Sequence, residues 1–197
     1  MTNKEIEAVV SDVLSKYVKR GGVYKCFSCI MESEKIKFRE IAEASDSFIG
    51  ALTDGNNGVK YIMVNKNISN EGRKNFTIAH ELGHYFLKHN LHDNALFCTD
   101  DFVAEDKYLN NPIEREANYF ATCLLMPENK IIPAFKSMLL RSHKAKMKDF
   151  LYVKNDTFGI WKLICNELTK RYGVSETALR FRLHSLKLVQ FDLKKLQ

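Results

Sequence analysis

Two histidines and a glutamate set the chemistry open to this sequence. They stand in Phe76-Thr-Ile-Ala-His80-Glu81-Leu-Gly-His84-Tyr-Phe-Leu-Lys-His89, in the order H-E-x-x-H. On a helix, residues four apart project from one face, about 6 Å from each other. His80 and His84 can therefore turn one ring nitrogen each toward a single ion. Glu81 stands about 100° further round the helix. It is off the ligand vector but within reach of a water on the ion's open side. Two neutral imidazoles, a third protein ligand, a water and a carboxylate base are what a zinc hydrolase requires. The bland alternative, three packed residues without a role, leaves desolvated polar groups without partners.

The third ligand has to come from elsewhere. A metzincin-type histidine would fall at Asn90 and its preceding glycine at Leu87, so that class is excluded. A glutamate on a second helix is the other common solution. Pro112 to Pro127 supplies Glu114 and Glu116. Glu114 shares a stripe with Asn118, Ala121 and Leu125, which makes it the preferred ligand, with Asn118 orienting a histidine from behind. Glu116, on the opposite flank of the apolar face, is the alternative. Glu114 also has capping-box spacing from Asn111. Tyr85, His89, His92 and Tyr108 are candidates for a second donor to an oxyanion. His89 reads first as a cation favoured at the end of its helix.

The elements that position these groups follow from periodicity. Residues 2–18 form an amphipathic helix with a Thr2/Glu5 capping box. Gly21-Gly22 breaks it, and Ile36 to Ala44 is expected to be helical. Residues 47–65 read as a hairpin around Asp54-Gly-Asn-Asn-Gly58, whose edge could receive an extended substrate. Helices are expected from about Asn70 to His89 and from Asn111-Pro112 to Met126, with a loop over 90–111. A basic helix over 130–150 and two short helices, 157–172 and 176–186, complete the chain.

Composition bounds the rest. The chain has 197 residues, 45% apolar and 27% charged, which suits one soluble domain, or one with a small appendage. No run of about eighteen apolar residues exists, which excludes a membrane-spanning helix. The N-terminus is charged where a signal peptide would be apolar. Five cysteines, an odd count, argue for reduced thiols and a cytoplasmic location. Cys26 and Cys29 form a lone C-x-x-C without the second pair that a structural zinc site needs. Cys123 and Cys165 read as packing residues. The net charge of +6 permits nucleic-acid contact without demanding it. One basic cluster holds Arg141, His143, Lys144, Lys146 and Lys148, a second Lys170, Arg171, Arg180, Arg182 and Lys187; both read as solvated faces. Arg180 and Arg182, on the second of two helices with helix-turn-helix spacing, carry a DNA-binding alternative.

Phe76 to Leu87, followed by Glu114-Arg-Glu-Ala-Asn-Tyr-Phe-Ala-Thr-Cys-Leu-Leu-Met-Pro127, resembles the ImmA/IrrE family of metallo-endopeptidases. The tail from Leu168 to Leu186 is similar to the helix-turn-helix-like end of these domains, and the resemblance covers about residues 45–190. It implies an α+β, mostly helical, minimal thermolysin-like zinc peptidase fold with a small antiparallel sheet and a C-terminal helix-turn-helix-like pair. The corresponding segments are 1–45 (N-terminal helical), 46–155 (peptidase core) and 156–197 (the pair, packed on the core). It implies zinc, or manganese, held by His80, His84 and Glu114, with Glu81 as catalytic base. The implied partner is a helix-turn-helix repressor of a phage, mobile element or stress response, whose cleavage relieves repression. A DNA-binding or repressor-docking regulator without proteolysis is the alternative.

Overall fold

The computed structural model describes residues 1–18, 22–42, 48–55, 58–90, 95–99, 111–142 and 149–192, with the backbone alone for 95–99. His92, Tyr108, His143, Lys144, Lys146 and Lys148 lie outside the described residues. The chain divides into two compact units, Met1–Leu125 and Met126–Gln197.

In the first unit, helix α1 spans Asn3–Tyr17. The Thr2 hydroxyl accepts from the Glu5 amide, and the Glu5 carboxylate accepts from the Thr2 amide at 2.7 Å. Each satisfies a donor that a helix start leaves open. Ile6, Val10 and Val13 bury its apolar face. A 3₁₀ turn, Val23–Cys26, leads into α2, Phe27–Ser33. Lys35 then takes a left-handed conformation (φ 57°) and ends the helix.

The next segment corrects an expectation. Lys37–Ile41, read from sequence as helical, is strand β1. It pairs in parallel with β3, Lys60–Asn65. The Lys, Arg and Glu of this stretch favour a helix locally, but pairing along a neighbouring strand outweighs so weak a preference. The expected hairpin is present as β2, Phe48–Asp54, antiparallel to β3, closed by the Gly55 amide donating to the Val59 carbonyl at 2.8 Å. A fourth strand, β4 (Ala95–Thr99), lies within the stretch expected to be loop and pairs antiparallel with β2. The order is β1-β3-β2-β4. The sheet is therefore mixed rather than antiparallel. Both hairpin strands are interior, so the hairpin offers no free edge; among the described residues the edges belong to β1 and β4.

Helix α3, Glu71–Phe86, is capped by Asn70, whose side chain accepts from the Arg73 amide. It packs against β2 and β3 and against helix α4, Pro112–Leu125, which also packs on α1. The α3–α4 approach is close because Gly83 faces Ala117. A Cβ at Gly83 would stand 3.1 Å from the Ala117 Cα, the Ala117 carbonyl oxygen and Phe120 Cδ1.

The second unit holds α5 (Glu128–Arg141), β5 (Leu151–Val153), α6 (Phe158–Tyr172), α7 (Glu176–Ser185) and β6 (Val189–Phe191). The basic helix expected over 130–150 ends at Arg141, and β5 pairs in parallel with β6. Gly173 (φ 64°) supplies the left-handed turn between α6 and α7, and the Ser175 side chain caps α7 by accepting from the Ala178 amide. Arg182 is buried at 3% exposure, its Nε donating to the Met126 carbonyl at 3.2 Å. The Arg180 guanidinium lies 4.1 Å from the centre of the Phe191 ring. Of the two arginines of the DNA-binding alternative, Arg182 is thus buried, while Arg180 is exposed above a ring of its own unit. Among the described residues no helix is long and apolar enough to cross a membrane.

Candidate metal centre

His80 and His84 lie on the buried face of α3, at 2% and 1% exposure. Their Nε2 atoms are 2.9 Å apart. Glu114, in the first turn of α4, brings Oε2 to 3.0 Å from His80 Nε2 and Oε1 to 3.5 Å from His84 Nε2. One ligand atom from each of the three lies within 4.8 Å of the others, and they form the metal-ligating cluster found among the described residues. The arrangement is compatible with a metal ion. Among the described residues Cys26 and Cys29 join no such cluster, and no disulfide links the described cysteines.

Proton placement supports that compatibility. His80 Nδ1 is 2.8 Å from Asn118 Oδ1, an acceptor, so Nδ1 carries the proton and Nε2 a lone pair. The same holds for His84 when its Nδ1 donates to His89 Nδ1, 2.9 Å away. Two lone pairs and a carboxylate then converge on one point, and Glu114 Oε2, although close to His80, has no aligned hydrogen-bond donor. Only a cation or a shared proton relieves such a donor set. The electrostatics of the metal-free cluster agree. Burial would lower His80, but Glu114 and Glu81 outweigh it and raise the ring above the ordinary imidazole value. Burial pushes His84 down to about 4, with the His80 charge adding to the effect. Burial would raise Glu114, but the two imidazoles hold it well below the usual carboxylate range.

Glu81 sits beside this cluster with 0% exposure, and neither carboxylate oxygen has a hydrogen-bond partner of good geometry among the described residues. Burial pushes its pKa up to about 8. Strand β2 forms the wall on that side. Its register slips between Phe48 and Gly50, and a Cβ at Gly50 would meet Thr77 Cγ2 at 2.5 Å and Glu81 Oε1 at 3.2 Å. Glycine is required there by the approach of α3 to the strand. A cavity of about 420 Å³ opens against His84, lined also by Leu52, Lys60, Tyr85, Lys88 and His89.

The structure thus brings together His80, Glu81, His84, Glu114 and Asn118. It places Glu116 elsewhere: its carboxylate takes His89 Nε2 at 3.2 Å and the N-terminal amine of Met1. Glu114 faces the histidines and does not cap its own helix; Asn111 Oδ1 instead accepts from the Ile113 amide. Tyr85, an oxyanion candidate, donates to Glu34 at 2.9 Å. Gly50 and the His89–Glu116 pair escaped the sequence reading, since nothing in a hairpin glycine or a helix-end histidine reports what it touches.

A model of the IrrE N-terminal-like domain, Peptidase_M78, matches residues 34–184. The chain belongs to this family. The family is named for a peptidase, and the buried His-His-Glu cluster is compatible with a metal ion. A search of the curated proteins finds no match. Among solved structures, a Mycobacterium tuberculosis transcriptional regulator superposes with a TM-score of 0.57 at 16% identity, over 98% of this chain and 49% of that one. That likeness concerns the fold, and this chain spans about half the length of the regulator.

Proposed function

We propose that the protein is a zinc-dependent endopeptidase that cuts a helix-turn-helix repressor in the cytoplasm and so relieves repression. The observation that carries the reading is a buried carboxylate, Glu81, with no well-aligned hydrogen-bond partner among the described residues, beside a converging His80–His84–Glu114 donor set. Zinc, or manganese, fits the His₂Glu donor chemistry, and when bound it supplies Lewis acidity toward water and the scissile carbonyl. Glu81 takes the proton of the attacking water and passes it to the leaving amine. Asn118 fixes the tautomer of His80. The substrate chain adds to the outer edge of β4, the strand paired with β2 at Gly50. The cavity against His84 receives one substrate side chain. A reducing compartment suits described cysteines, Cys26, Cys29, Cys123 and Cys165, that form no disulfide.

The test is incubation of the purified chain and a repressor encoded beside its gene with zinc or manganese, with fragments mapped by mass. Defined cleavage that disappears in Glu81→Gln, while the metal stays bound, is the expected outcome. Cleavage undiminished in that variant removes Glu81 from the mechanism. An intact repressor held in a stable complex points to docking without proteolysis.

A further inference from the structure

We infer that His89 and Glu116 are positioning residues for the metal, holding the ligand ring of His84 from behind as Asn118 holds that of His80. The inference rests on the metal reading above and adds a second support to it. His84 Nδ1 and His89 Nδ1 are 2.9 Å apart, and His89 Nε2 is 3.2 Å from Glu116 Oε2. The side chains of His89 and Glu116 are 7% and 14% exposed. The proton positions follow from one another. With Nε2 of His84 turned to the cluster as a lone pair, its proton sits on Nδ1 and needs an acceptor. His89 Nδ1 is that acceptor, which puts the proton of His89 on Nε2, and Glu116 receives it. A carboxylate ends the chain at the place where an acceptor is required.

Two local features assemble this relay. Helix α3 ends in a Schellman motif: the His89 amide donates to the His84 carbonyl at 3.1 Å and the Lys88 amide to that of Tyr85 at 3.2 Å, with Lys88 at φ 56°. In such a motif the residue two beyond the cap packs against the one three before it. Here those residues are His89 and His84, whose ring centres are 5.0 Å apart. Helix α4 then serves both ends of the same histidine, Glu114 on the Nε2 side and Glu116, through His89, on the Nδ1 side. Outer partners of this kind fix ring orientation and raise ligand basicity.

The experiment measures zinc affinity of the full chain by competition with a chelator, together with the visible spectrum of the cobalt-loaded protein and the melting of the metal-free form. His89→Ala is expected to weaken zinc about 10- to 100-fold and to shift the cobalt bands, with metal-free melting close to wild type. Glu116→Gln, of equal shape, is expected to move both in the same direction by less, and His89→Gln, which keeps an acceptor, to recover part of the loss. Tight wild-type binding with unchanged affinity and cobalt bands in His89→Ala overturns the inference alone. If that variant does not fold, unchanged affinity in Glu116→Gln overturns it. A wild-type chain that binds neither metal overturns the metal reading and this inference with it.

Discussion

At the scale of single residues, the cost of this site falls on Glu81. A carboxylate with no exposure and no aligned partner keeps its proton to about pH 8, against an ordinary value of 4.5. Between these values the folded, metal-free chain holds a proton that the unfolded chain has released. Stability must then fall as pH rises through that window and level off above it. Replacing Glu81 by glutamine removes the dependence. In urea unfolding with a chelator present, Glu81→Gln should match wild type near pH 4.5 and exceed it by about 4 kcal/mol at pH 8; parallel pH profiles would contradict this. The motif residues were legible because i, i+4 histidines flanking a glutamate are a pattern that few structural roles need. The choice between Glu114 and Glu116 was legible only as a preference. They differ in which side of α4 faces α3, and packing decides that.

At the scale of elements, two helices must approach closely enough for Glu114 to meet both histidines. Gly83 permits it. Gly83→Ala forces the α4 backbone away and is expected to cost about 1–3 kcal/mol of stability. It should also weaken zinc, because Glu114 moves with its helix; a variant with native zinc affinity would show that the approach is not limiting. The end of α3 offers the opposite change. Lys88 occupies a left-handed conformation that favours glycine, so Lys88→Gly should raise stability by about 0.5–1 kcal/mol in thermal unfolding and leave zinc affinity in place. The helices were legible because their caps and apolar periods agree, as at Thr2, Asn70 and Ser175. Strands β1 and β4 were not. Lys37–Ile41 has a helix-prone composition, and Ala95–Thr99 is too short to show a period; both exist through pairing with β3 and β2.

At the scale of the whole molecule, the chain has two units, and the residues of the candidate centre all belong to the first. The second was legible as a helix pair with a glycine turn, but the use of its arginines was not, since sequence does not separate a buried cation from an exposed one. Arg182→Ala should destabilise the second unit by about 1–3 kcal/mol through lost packing and a lost charged hydrogen bond. Local unfolding followed by hydrogen exchange checks this, and an unchanged exchange pattern would return Arg182 to the solvated face expected of it. The function proposed for the molecule depends on one cation held by His80, His84 and Glu114. X-ray absorption at the zinc edge of the zinc-loaded chain reads its ligands directly. Two imidazole nitrogens and one or two carboxylate or water oxygens at about 2.0–2.2 Å are expected, with the imidazole signal halved in His84→Ala. A sulfur shell, or a spectrum unchanged by that substitution, would contradict it.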